Sequence, residues 1–201
     1  MDRLRKRTDI MAGFLNAMVG SAFSSAAVPA YESIATVSVG AGGVGTVEFT
    51  GIPGTFKHLQ IRTLARNTAN SSGGSEENLR IRLNGDTASN YSTHWLVGDG
   101  STLISGSELT TSMSQSYGII PMSNAAASIF GVAVIDILDY QNTNKFKTLR
   151  ALCGADKNGS GYSNFASSNW RNTNAITSIL LFPEAGNFAQ YSHFALYGIK
   201  G

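Results

Sequence analysis

Four sets of residues carry types and spacings that could do chemistry. Asp136 and Asp139, with Glu76 and Glu77, could supply the paired carboxylates of glycoside hydrolysis, one as acid and one as base or nucleophile. Asp136 alternates with Val132 and Val134, which suits a strand position paired with a nearby Arg better than a catalytic pair. Asp156, Asn158, Ser160 and Gly161 follow the first half of a calcium loop, but its twelfth position is Ser167 instead of a bidentate Glu, so a hairpin turn is expected, with weak incidental calcium binding left open. His58, His94 and His193 are far apart in strand-like runs without ligand pairing, which argues for ordinary strand histidines. Trp95, Trp170, Tyr91 and Tyr162 offer flat apolar faces beside polar loops, the chemistry of sugar stacking, and are the candidate glycan contacts, set against the core role that large aromatics in a β-sandwich more often take.

Two further motifs fail on context. Gly40, Gly42 and Gly45 spell G-x-G-x-x-G, but a dinucleotide site requires a helix after the glycines, and here the β-branched Thr46-Val47 begins a strand. Serines abound, yet none sits in a G-x-S-x-G elbow ahead of a helix. The expectation is a protein without catalytic residues, cofactor or metal.

The elements that must position these residues are nearly all strands. ESIATVSV (32–39) and TVEFT (46–50) flank the glycine run and read as a hairpin, with HLQIRTLAR supplying a third strand. LRIRL (79–83) alternates, placing Leu79, Ile81 and Leu83 on a core face and Arg80 and Arg82 on a wet one. FGVAVIDIL is apolar on both faces and predicts a strand buried in the middle of a sandwich. Further strands are expected near 91–96, 117–121, 145–153, 162–170, 175–183 and 188–199, divided by turns such as Asn84-Gly85 and Asn142-Thr143-Asn144. The fold class expected is all-β: an antiparallel jelly-roll-like β-sandwich over 31–201, with an N-terminal helical arm over 1–30.

Charge and cysteine content narrow the function. Only 14% of residues are charged and the net charge is +2, with several basic residues gathered in the first seven positions, so nucleic acid is not an expected partner. The single Cys153 can form no internal disulfide.

The opening RLRKRTDIMAGFLNAMVGSAFSSAAVPAY (3–31) places Ile10, Met11, Phe14, Leu15, Met18 and Val19 on one helical stripe behind the basic cluster Arg3, Arg5, Lys6 and Arg7. Asn16, the Ser and Gly residues and Pro29 spoil it as a membrane span, and the small-residue face suits close packing. It is expected to be an anchoring arm rather than an export signal or a span, with the stripe forming an oligomer or neighbour interface and the basic cluster meeting an acidic surface.

SIATVSVGAGGVGTVEFTGIPGTFKHLQIR, RLNGDTASNYSTHW, DILDYQNTNKFKTLRALCGADKNGSG, NWRNTNAITSILL and the closing GNFAQYSHFALYGIKG resemble segments of structural proteins of tailed bacteriophages, of head-fibre, decoration or tail-fibre type. The resemblance spans roughly 31–201 and does not extend to 1–30. It implies a virion location, other capsid or tail proteins as partners, symmetric copies such as a trimer, and no enzymatic residues. A receptor- or carbohydrate-binding tail-fibre module, touching host surface glycan, is the alternative.

Overall fold

The computed structural model describes residues 29–72, 74–111 and 114–201, with side chains outside 110–117. The arm residues Ile10 to Val19 and the basic cluster Arg3 to Arg7 lie outside the described residues, and so do the helical arm and the expected absence of a membrane span there. Among the described residues no helix is long and apolar enough to cross a membrane.

The described chain is all-β. In order, the strands are β1 (Tyr31–Ser38), β2 (Val47–Phe49), β3 (His58–Ala65), β4 (Glu76–Leu83), β5 (Tyr91–Gly98), β6 (Leu103–Thr111), β7 (Ser114–Pro121), β8 (Gly131–Leu138), β9 (Lys147–Asp156), β10 (Gly161–Trp170), β11 (Ile179–Pro183) and β12 (His193–Ile199). They form an eight-stranded sheet, β1-β12-β3-β8-β9-β10-β5-β6, and a four-stranded sheet, β2-β11-β4-β7. All pairings are antiparallel.

Period-two alternation explains where the core lies. From the large sheet, Leu59, Ile61, Ile135, Ile137, Leu149 and Leu196 are buried, and from the small sheet Val47, Phe49, Leu79, Ile81, Leu83, Ile179 and Leu181. All belong to one apolar cluster. Each buried aliphatic side chain contributes roughly 1.5–3 kcal/mol relative to exposure. Several inward residues of β9 and β10 are small, with Ala151, Cys153, Ala155, Ala166 and Ser168 all buried.

Three sequence-based expectations are corrected. The Gly40–Gly45 run does not join a hairpin: β1 pairs with β12 and β2 with β11, so the run crosses between sheets. Gly43, at φ +71°, passes so close that a Cβ would lie 2.5 Å from the Phe188 carbonyl oxygen. β8 is not buried on both faces, since Val132, Val134 and Leu138 are exposed while Ala133, Ile135 and Ile137 are buried. β6 was not expected, because Ser105, Gly106 and Ser107 interrupt any apolar alternation; backbone pairing with β5 holds it as an edge.

Candidate functional site

The β5–β6 and β9–β10 connections are brought together by the pairing of β10 with β5, which sets Ser163 opposite Gly98 and so puts both turns at one end of the large sheet. Between them opens a cleft of ≈ 670 Å³ lined by Gly98, Asp99, Gly100, Phe130, Val132, Gly154, Asp156, Ser160, Tyr162 and Ser163, among others. Gly154 and Gly98 flank Ser163 in one cross-strand row, so the floor carries little side-chain bulk.

The turns are stiffened by their own polar atoms. Asp99 Oδ1 accepts from the Ser101 N–H at 2.8 Å, the Thr102 N–H at 2.6 Å and the Ser101 hydroxyl at 3.0 Å. These bonds, the Thr102 N–H foremost, hold its carboxyl below the usual range. Asp156 Oδ1 accepts from the Asn158 N–H at 2.8 Å, and Asn158 and Gly159 take φ of +61° and +105°. The calcium-like spelling is thus a hairpin turn, as expected from its twelfth position. Among the described residues no group of three or more His, Cys, Asp or Glu is placed to hold a metal ion.

Of the four glycan candidates only Tyr162 lines this cleft. Lys157 Nζ stands 5.2 Å from its ring centroid, donates to Ser75 Oγ at 2.7 Å and pairs with Glu76. Tyr91 and Trp170 are corrected: both are fully buried and stack at 6.4 Å between centroids, so neither can meet a glycan. Their placement follows from facing inward on paired strands, with Trp170 opposite Tyr91. Trp95 is half-buried against the core, over Gly106, where a Cβ would lie 2.5 Å from the indole.

The carboxylates expected to be structural are engaged in pairs. Asp136 accepts from Arg150 at 2.8 Å and from the Gln60 amide at 2.8 Å, and these contacts outweigh its burial, holding it below the ordinary range. Asp139 pairs with Lys57 at 2.7 Å and with Lys145. The histidines are spread over β3, β5 and β12. His58 Nδ1 accepts from the Asp139 N–H at 2.9 Å.

Arg80, expected on a wet face, is instead buried in a charged cluster on the small sheet that sequence reasoning missed. Arg80 is 6% exposed and pairs with Glu184 at 2.5 Å, while Asn78 Nδ2 donates to Glu184 Oε2 at 3.1 Å. Burial, with Glu184 close by, raises the Glu77 carboxyl; its hydrogen bond from Arg80 lowers that of Glu184. Two carboxyls driven apart in this way could exchange a proton, but neither lines the cleft. Only the position of Glu184 one residue beyond the apolar β11 hints at this in the sequence.

The cleft thus sets the Tyr162 ring, the Asp99 and Asp156 carboxylates and the Ser160 and Ser163 side chains around a glycine-rich floor. Comparison with protein-family models, curated proteins and solved structures finds no match to this chain.

Proposed function

We propose that the protein is a non-enzymatic structural component of a tailed-phage virion, displayed on the particle as a capsid decoration, fibre or tail-attached protein, and anchored through residues 1–30. The observation that carries this reading is the solvent side of the eight-stranded sheet. There Val134, Leu152, Phe165 and Leu96 stand opposite one another on four adjacent strands, each 39% exposed or more. A connected apolar face of this kind suits a surface that is covered in an assembly.

The finer architecture is jelly-roll-like. Setting aside the hairpins β5–β6 and β9–β10 leaves β1-β12-β3-β8 facing β2-β11-β4-β7, an order that supports this reading. Jelly rolls serve capsid and lectin domains alike. The test is incorporation: the full chain should co-purify with particles and a chain lacking residues 1–30 should not. Full incorporation of the truncated chain would overturn the anchoring arm, and absence of the full chain from purified particles would overturn the role.

A second reading, carbohydrate binding during host adsorption, is favoured by the cleft. Tyr162 supplies an aromatic surface and Asp99 and Asp156 supply carboxylate acceptors around a glycine-rich floor. Binding on a glycan array that Tyr162→Ala abolishes without lowering the thermal midpoint would support it; no binding by the full chain would remove it.

A further inference from the structure

The outer face of the large sheet is self-complementary, and we propose that it docks a second copy of this chain, face to face, about a two-fold axis running along the strands between β9 and β10. This deepens the assembly role proposed above and rests on it for its setting.

Size comes first. Val134, Leu152, Phe165 and Leu96 form one cross-strand row, and Leu64 and Val132 face each other on the next. Their exposures are 39, 62, 46, 43, 42 and 54%. Together they present roughly 500 Å² of apolar surface, near the top of the range for the largest patch on a monomer. Adding the polar groups on either side brings the face toward the ~800 Å² per partner that a stable protein pair buries. Sheets packing face to face interdigitate their side chains, and Val132, Gly154, Ser163 and Gly98 of the second row line the cleft described above, which this contact would cover.

Register then selects the occupant. A two-fold axis between β9 and β10 reverses each row upon itself. In the apolar row, which Arg62 and Ser105 end on β3 and β6, it brings Leu152 against the partner's Phe165, Val134 against the partner's Leu96 and Arg62 against the partner's Ser105. In the next row the order is Leu64, Val132, Gly154, Ser163, Gly98, Leu103. Reversal sets Val132 over the bare backbone of the partner's Gly98, and Leu64 against the partner's Leu103, so bulk meets gap and apolar meets apolar. On the other side the order is Gln60, Asp136, Arg150, Ser167, His94, Ser107. Reversal sets the Asp136 carboxylate toward the partner's His94 and the Arg150 guanidinium toward the partner's Ser167. No like charges oppose each other in these rows, which is what a two-fold contact requires of one surface used twice.

The test is the mass of the full chain in solution, by sedimentation equilibrium across the micromolar range, for the natural sequence and for Leu152→Glu. The expected result is a two-chain species that Leu152→Glu weakens by about tenfold or more, with the two thermal midpoints equal at concentrations low enough for both chains to be monomeric, because residue 152 faces solvent in the single chain. Because the faces of two packed sheets lie about 10 Å apart, beyond the reach of a disulfide, a Val132→Cys, Gly98→Cys double variant should cross-link between chains with a short bis-maleimide reagent while each single variant should not. A monomer at every concentration, a three-chain species, or a dimer indifferent to Leu152→Glu would overturn the interface; the last outcome would assign association to another part of the chain. Absence of the double-variant cross-link from a Leu152-sensitive dimer would overturn the two-fold register. A monomeric Leu152→Glu chain that still enters particles fully would overturn this interface as the assembly contact and leave the virion role standing.

Discussion

The indole Nε1 of Trp170 donates to Asp86 Oδ2 at 2.7 Å while its ring stacks on Tyr91, whose hydroxyl accepts from the Leu83 N–H at 3.0 Å. One contact set therefore ties β10, β5, the end of β4 and the 84–90 connection together. Burial alone would raise the Asp86 carboxyl, but hydrogen bonds from Asn90, Trp170 and the Ala88 N–H outweigh it and hold the group below its ordinary range. Trp170→Ala should cost roughly 3–5 kcal/mol of stability, measured as a fall in the urea midpoint. Trp170→Phe should retain part of the packing and lose the indole donor. If Trp170→Ala left the midpoint unchanged, the buried assignment would be wrong.

Alkaline pH should unfold the domain through groups buried neutral. Burial pushes the Cys153 thiol up to about 11 and the Tyr91 phenol up to about 12. In the unfolded chain they titrate near their ordinary values of ~8.5 and ~10. Their stabilising effect is therefore complete below those values and is lost as pH rises through the folded ones. Stability measured from pH 8 upward should fall accordingly, and Cys153→Ala should flatten the earlier part of the decline. The native thiol should also resist a disulfide reagent until the protein is denatured.

Much of this core was legible because alternation fixes faces: Leu79, Ile81 and Leu83 point inward as their spacing requires. Sheet partners were not legible. The residues around Gly40–Gly45 look like a hairpin locally, yet β12, the partner of β1, is supplied by the other end of the chain. Composition also misled for β8, since an apolar residue on the outer face can be buried in a core or reserved for another molecule, and both give the same letters. The aromatics show the converse, for Trp170 has polar sequence neighbours but an inward strand position. The cleft depends on β10 pairing with β5, which no local motif announces; its turn residues were legible as turns only.

Acid should loosen the β8–β9 connection. Hydrogen bonds from Lys145 and Lys57 hold the Asp139 carboxyl far below the usual range, against a smaller opposing effect of burial. A depressed carboxylate stabilises the fold above the unfolded value of ~3.9, and that contribution disappears as pH falls through the folded value. Asp139→Asn should reduce the steepness of the acid-unfolding curve. An unchanged curve would separate this ion-pair cluster from acid stability.

Lys147 is a charged residue in the core, 0% exposed, whose Nζ donates to the carbonyls of Asn142, Lys145 and Thr173. Lys147→Met keeps a long side chain but leaves these acceptors without their donor. The expected loss is roughly 1–3 kcal/mol for each carbonyl left unsatisfied, read from chemical denaturation. A neutral or stabilising result would show that the carbonyls find other donors.

The most direct measurement of the virion assignment is a cryo-EM reconstruction of the intact particle. Density for the two-sheet domain on the particle surface, with the outer face of the large sheet covered and residues 1–30 held between other virion proteins, is the predicted result. Particles of full composition with no density for this chain would contradict it.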